Sequence, residues 1–132
     1  MTRTVTEMNR DLALEVFAQF DSGDNDAAIA LLHPDFVSHN PRVPHDPKTA
    51  AGRQAFADFF RGPQGQALVA AGSDIRRVIA DDTLVAVHNR IAMPGGDIAA
   101  VDIFCVQDGL IVEHWDVVQP VPERSANPHG MF

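Results

Sequence analysis

The chain has 132 residues, with 10 Lys plus Arg against 18 Asp plus Glu, a formal charge of −8 and a pI near 5.0. That length holds one domain, and 45% hydrophobic content is enough for a globular core, so neither a disordered chain nor a two-domain protein is expected. One Cys excludes a disulfide scaffold, the acidic balance argues against a nucleic-acid binder, and zero Tyr removes every mechanism that needs a phenol.

The N-terminal ten residues are polar and lack the apolar core of a signal peptide. No apolar run approaches the roughly 18 residues of a membrane span. A cytoplasmic protein with no membrane partner is expected.

Thr4 and Glu7 have capping-box spacing ahead of a helix. Its apolar stripe is Leu12, Val16 and Phe20, flanked by Ala13, Leu14 and Phe17, and Ser22-Gly23 stops it. Asp24 or Asp26 can cap a second, short helix through Ala27, Ile29, Leu31 and Leu32. His33-Pro34 should end that helix, because the residue before Pro avoids the helical region. Phe36 to His39 reads as a short strand. Residues 40–48 hold Pro41, Pro44 and Pro47 and should form an irregular loop. Thr49 is positioned to cap a third helix carrying Phe56, Phe59 and Phe60, which Gly62-Pro63 terminates. Residues 64–72 read as a loose connection.

The period then changes to two. Four strands are expected near residues 74–80, 84–92, 98–106 and 110–118, joined by turns at Asp81-Asp82, Pro94-Gly95-Gly96-Asp97 and Gln107-Asp108-Gly109. They form an antiparallel meander, with the preceding helices covering one face. The tail at 120–132 has three prolines and either wanders or packs over something.

Alternation sorts the strand residues by face. On the last strand Val112, His114, Asp116 and Val118 share a face opposite Glu113, Trp115 and Val117. Ala100, Asp102 and Phe104 share a face on the strand before it. On the earlier long strand His88 and Arg90 align with Leu84 and Ala86. If these faces coincide, His88, Asp102, His114 and Asp116 converge among apolar side chains on the helix-covered side. The competing reading places them on a solvated outer face. A shared pocket would support acid–base chemistry, because an apolar wall raises the pKa of a carboxylic acid. Phe56, Phe59 and Phe60 would then be core or pocket wall.

Other constellations carry less. His33, His39 and His45 are six residues apart but span a helix end, a strand and a loop, so no metal geometry follows. A two-His, one-carboxylate metal set drawn from His88, Asp102, His114 and Asp116 does not suit a chain led by three helices. Cys105 faces away from Asp102, which argues against a thiol nucleophile. There is no phosphate-binding loop and no nucleophile elbow. Neither a metal nor another cofactor is expected.

Four segments carry a family resemblance: FVSHNP at residues 36–41, GRQAFADFF at 52–60, AVDIFCVQDGLIVEHWDVVQPVPE at 100–123, and the NPHGMF ending. Together they resemble the SnoaL-like polyketide cyclase, or aldol-condensation, branch of the NTF2-like superfamily. The resemblance implies one α+β domain over residues 1–132, an NTF2-like cone in which N-terminal helices pack in a strongly curved antiparallel sheet. It also implies an apolar pocket, a homodimer through the outer sheet face, and a cofactor-independent aldol closure driven by an Asp on the last strand. Asp116 stands in that place, preceded by His114, and Asn40 matches a polar pocket residue. Two departures stand out: Asp102 replaces a His of the cyclases, and the pocket Tyr of the cyclases has no counterpart.

Two functions follow. In the first, Asp116 removes a proton α to the carbonyl of an apolar, polyketide-like molecule, leading to aldol cyclisation, isomerisation or dehydration. His114 tunes it, Asp102 holds His88 or His114, and His88, His39 and Asn40 polarise the carbonyl. Phe56, Phe60, Phe104 and Val118 line the substrate. In the second, the domain binds a small molecule without catalysis.

Overall fold

The computed structural model describes residues 2–132. Helix α1, Val5–Asp21, starts with the capping box. The Glu7 N–H donates to Thr4 Oγ1 (3.1 Å) and the Thr4 N–H donates to Glu7 Oε2 (3.0 Å). It buries Ala13, Val16 and Phe20. The chain leaves it through Gly23, whose φ of 85° favours glycine. Helix α2, Asn25–Ile29, is capped by Asp24, whose Oδ1 accepts from the Ala27 N–H.

Strand β1, Leu32–Ser38, begins earlier than its composition suggests. The second helix therefore ends before Leu31 and Leu32, and Pro34 lies inside a strand. This is tolerated because β1 is an edge strand, where a missing donor faces solvent, and the pairing register shifts between Leu32 and Val37.

Helix α3, Gly52–Arg61, starts at Ala51 without a side-chain cap. Thr49 is instead part of the preceding turn, its hydroxyl donating to the Asp46 carbonyl (3.2 Å). Gly52 sits at the helix start because α3 abuts β1: a Cβ there would lie 2.2 Å from the Phe36 carbonyl oxygen. Residues 64–72 are not loose. Pro63 opens helix α4, Pro63–Ala71, at the helical position where Pro costs least. The apolar stripe of α4 is too weak to show in the sequence pattern.

The remaining strands are β2, Asp74–Ala80, β3, Leu84–Met93, β4, Gly96–Gln107, and β5, Leu110–Pro120. They form the expected antiparallel meander. The β4–β5 turn carries Asp108 and Gly109 at φ 55° and 73°, the left-handed pair that a two-residue hairpin needs. β1 then adds beside β5 in parallel, giving a curved mixed sheet of order β1-β5-β4-β3-β2. The core of Ala13, Val16, Phe20, Leu32, Phe36, Phe56, Val85, Val87, Phe104 and Ile111 lies between helices and sheet.

Beyond β5 the tail packs back on the outer sheet face. The Phe132 ring stacks on His88 at 5.8 Å, and the Arg76 and Arg90 guanidinium carbons lie 5.4 and 5.8 Å from its centroid. Among the described residues, no helix is long and apolar enough to cross a membrane.

Candidate active site

Residues directly opposite across strands share a face, and the register places three rows on the concave side. Val85, Phe104 and His114 form one row, Val87, Asp102 and Asp116 the next, and Asn89, Ala100 and Val118 the third. Three ionisable groups and one amide thus project toward the helices from three adjacent strands.

His114 is buried and held at both ring nitrogens. Its Nε2 lies 2.8 Å from Asp102 Oδ1 and its Nδ1 lies 3.1 Å from Ser38 Oγ. Phe104 stacks on the ring at 5.0 Å and Phe56 meets it edge-on at 5.8 Å. Asn89, fully buried, donates from Nδ2 to Asp102 Oδ2 at 2.9 Å. Asn40 is oriented by its own backbone turn, in which its Oδ1 accepts from the Arg42 N–H (2.9 Å). Its Nδ2 is thereby directed to Asp116 Oδ2 at 3.1 Å. The other Asp116 oxygen, Oδ1, is buried with no partner.

Asp116 is the perturbed acid. Burial raises its pKa from 3.8 to about 7, and the Asp102 carboxylate directly across the ladder adds to the rise. Charge on the His114 side and the Arg42 guanidinium pull the other way. The physical origin is plain: two carboxylates facing each other in an apolar wall cannot both ionise cheaply.

This cluster lies at one wall of a cavity of about 100 Å³, formed mainly by phenylalanines of α1, β1, α3 and β4 together with residues of α4. Asn40, Phe56, Phe60, Asp102, Phe104, His114 and Asp116 all line it. His88, His39 and Val118 do not.

His88 misses because β3 has the opposite phase from that expected. Val85, Val87 and Asn89 point inward at 0% exposure, so His88 points outward, to Arg77 Nη1 (3.1 Å) and Phe132. His39 misses by the same alternation. Its neighbour Ser38 turns in toward His114, so His39 turns out, stacking on Trp115 at 5.2 Å and meeting Glu113 Oε2 at 2.6 Å. Neither histidine can polarise a carbonyl in the cavity, and Asp102 holds His114 rather than His88. Val118 occupies the third row, outside the cavity wall.

On β5 a bulge opposite Cys105 and Val106 adds one residue, so Ile111 rather than Val112 is inward while His114 keeps its place. Asn89 and Ser38 were missed as site residues. The alternating Val85, Val87, Asn89, Ile91 set was the available signal for Asn89, an amide inside a β-branched stripe.

Among the described residues, Asp102, His114 and Asp116 can each bring one ligand atom within 4.8 Å of the others. These are the residues that could hold a cation, which would have to displace the His114–Asp102 hydrogen bond.

No curated protein matches the chain in sequence. Solved structures match its fold. A candidate ketosteroid isomerase from Kribbella flavida DSM 17836 is 23% identical, with 96% of this chain and 87% of that one covered and a TM-score of 0.70. An NTF2-like protein of unknown function from Cytophaga hutchinsonii ATCC 33406 is 19% identical, covering 91% and 94% with a TM-score of 0.67. IdmH, a candidate polyketide cyclase from Streptomyces antibioticus, is 22% identical, covering 82% and 89% with a TM-score of 0.61. At these identities the likeness is one of architecture, an NTF2-like α+β fold. The SnoaL-like domain profile matches residues 13–114, and on that match the chain belongs to the SnoaL-like domain family.

Proposed function

We propose that the protein is a cofactor-independent acid–base enzyme acting on a neutral, apolar carbonyl compound of polyketide-like type in the cytoplasm. The observation that carries this reading is Asp116, a carboxyl raised to about pH 7 in an apolar cavity with Oδ1 left bare. A base with that pKa is half ionised at neutral pH, where proton transfer in both directions is efficient. Asp116 Oδ1 takes the proton from the carbon α to the carbonyl, and the electron pair of that C–H bond moves into the enolate. The same oxygen returns the proton to another carbon, to a new alkoxide or to a departing hydroxyl. These outcomes are isomerisation, aldol closure and dehydration. Asn40 positions the carboxylate through Oδ2, and His114 and Asp102 form its electrostatic surroundings.

The test pairs two measurements. In carbon-13 NMR titration one carboxyl should titrate near pH 7, and cyclohexanone in D₂O should exchange its α-protons faster with protein than without. A full set of carboxyls titrating near pH 4, together with no acceleration, would sink the proposal and leave a binding domain.

The homodimer implied by the family resemblance would form on the outer sheet face, where Val117 is 64% exposed on the same face of β5 as Trp115, and Val37 of β1 is exposed beside Glu113. Light scattering should then give about twice the 14.3 kDa chain mass, and Val117→Lys should return it to the monomer value.

A further inference from the structure

The cavity is one-sided in charge. Three carboxylates, Asp21, Asp102 and Asp116, line it, and no lysine or arginine does. His114, the base among the lining residues, is already engaged by Asp102 and Ser38 at its two ring nitrogens, so a ligand with a carboxylate or phosphate would bring a like charge into an apolar enclosure with no unengaged cation on its wall, which is unfavourable.

The buried end adds a second constraint. Asn89 is fully buried, and its amide orientation is fixed because Nδ2 donates to Asp102 Oδ2 (2.9 Å) and to the Val87 carbonyl (3.4 Å). Its Oδ1 is left buried with no partner among the described residues, and Asn89 lines the cavity. A buried carbonyl oxygen in that state gains from a donor and gains nothing from an apolar group. An amide oxygen is an acceptor at every accessible pH. Asn89 on β3 and Asp116 on β5 flank Asp102 on β4, two strand spacings and one row apart, about 12 Å at the backbone. Their side chains project onto the same face, so one small molecule spans both.

We propose that the ligand of this cavity is an uncharged carbonyl compound that also carries a hydroxyl group, and that Asn89 selects it by accepting the hydroxyl proton at Oδ1 while the carbonyl end lies at Asp116. Asn89 is then a specificity residue rather than a catalytic one. The inference rests on the reading of the cavity as a small-molecule site, but not on catalysis.

Four probes of similar size separate the elements: toluene, anisole, phenol and benzoate, titrated by amide chemical-shift changes in the NMR spectrum of the whole chain. Phenol should bind about tenfold tighter than toluene or anisole, the scale of one net hydrogen bond, and benzoate should bind more weakly than all three. The phenol preference should vanish in Asn89→Leu and persist in Asp116→Asn. Equal affinities of phenol, toluene and anisole in the wild type would overturn the proposal, as they would if Asn89 were already satisfied by a retained water. So would a preference that survives Asn89→Leu, or benzoate binding as well as phenol. If Asn89→Leu fails to fold, Asp116→Leu decides: a preference for phenol over anisole that persists there assigns the acceptor to Asn89, and one that vanishes overturns the proposal. Binding by none of the probes removes the small-molecule site itself, and this inference with it. Absent α-proton exchange in a protein that still prefers phenol would refute only the catalytic reading.

Discussion

Asp116→Asn is expected to lower the rate on any carbonyl substrate by about 10²–10⁴-fold, the range for loss of a positioned general base. The same change should make the fold more stable above neutral pH. Asp116 has a folded-state pKa near 7 against 3.8 for the free side chain. Between those values the folded state keeps a proton that the unfolded chain releases, so stability falls as pH rises across that window. It is fully present below about pH 3.8, and the loss is complete above about 7. The cumulative penalty is on the order of 4 kcal/mol, from roughly 1.4 kcal/mol per pKa unit. The Asn amide keeps the shape and can still accept from Asn40. Urea melts at pH 5 and pH 8 should show a loss of stability in the wild type that is absent in the variant. An identical pH dependence in both proteins would mean that Asp116 is not the group titrating there. Gain of stability with loss of activity is the signature of a residue held in an unfavourable state for its chemistry.

Phe36→Ala should destabilise the domain by about 3–5 kcal/mol, the usual range for emptying a buried aromatic site. Phe36 is 1% exposed, meets Phe56 edge-on at 5.1 Å and forms part of the cavity wall. Collapse around the gap is limited, because the Phe36 backbone is already wedged against the start of α3 at Gly52. Where the variant stays folded, the space should go to the ligand, and an apolar probe larger than the wild-type cavity admits should gain affinity. Chemical denaturation measures the first effect and ligand titration the second. A loss under 1 kcal/mol would mean that β1 and α3 are less firmly packed than their contacts indicate.

The reading from sequence succeeded where one local rule sufficed. The Thr4–Glu7 capping box and the Asp108-Gly109 turn each depend on a few adjacent residues, and both appear as expected. Asp102 and His114 also converge as expected, because hairpin partners on a shared face follow from the turn between them. Failures arose where a non-local choice decided. Which face of β3 turns inward is set by its register against β4, and both alternate sets on β3 contain apolar residues. The wrong set brought in His88 and hid Asn89. His39 depended on β1 adding beside β5, a pairing between distant segments that alternation within either strand does not reveal. Helix α4 was missed because Gly65 and two glutamines dilute its pattern, although Gly65 is needed: a Cβ there would lie 2.3 Å from the Phe60 Cα.

The parallel pairing of β1 with β5 has a consequence for the order in which the molecule comes together. The two side-chain hydrogen bonds from the 38–40 segment into the site, Ser38 to His114 and Asn40 to Asp116, join residues 76 positions apart. Contacts this distant in sequence pay their loop-closure entropy before they return any stabilisation, so they form late. The meander of β2 to β5 can assemble from neighbouring hairpins, but Asp116 gains its Asn40 partner only when the two ends of the fold are joined. During synthesis, the site is completed after the last strand has emerged. An incompletely folded chain presents hydrophobic surface but no assembled acid–base centre.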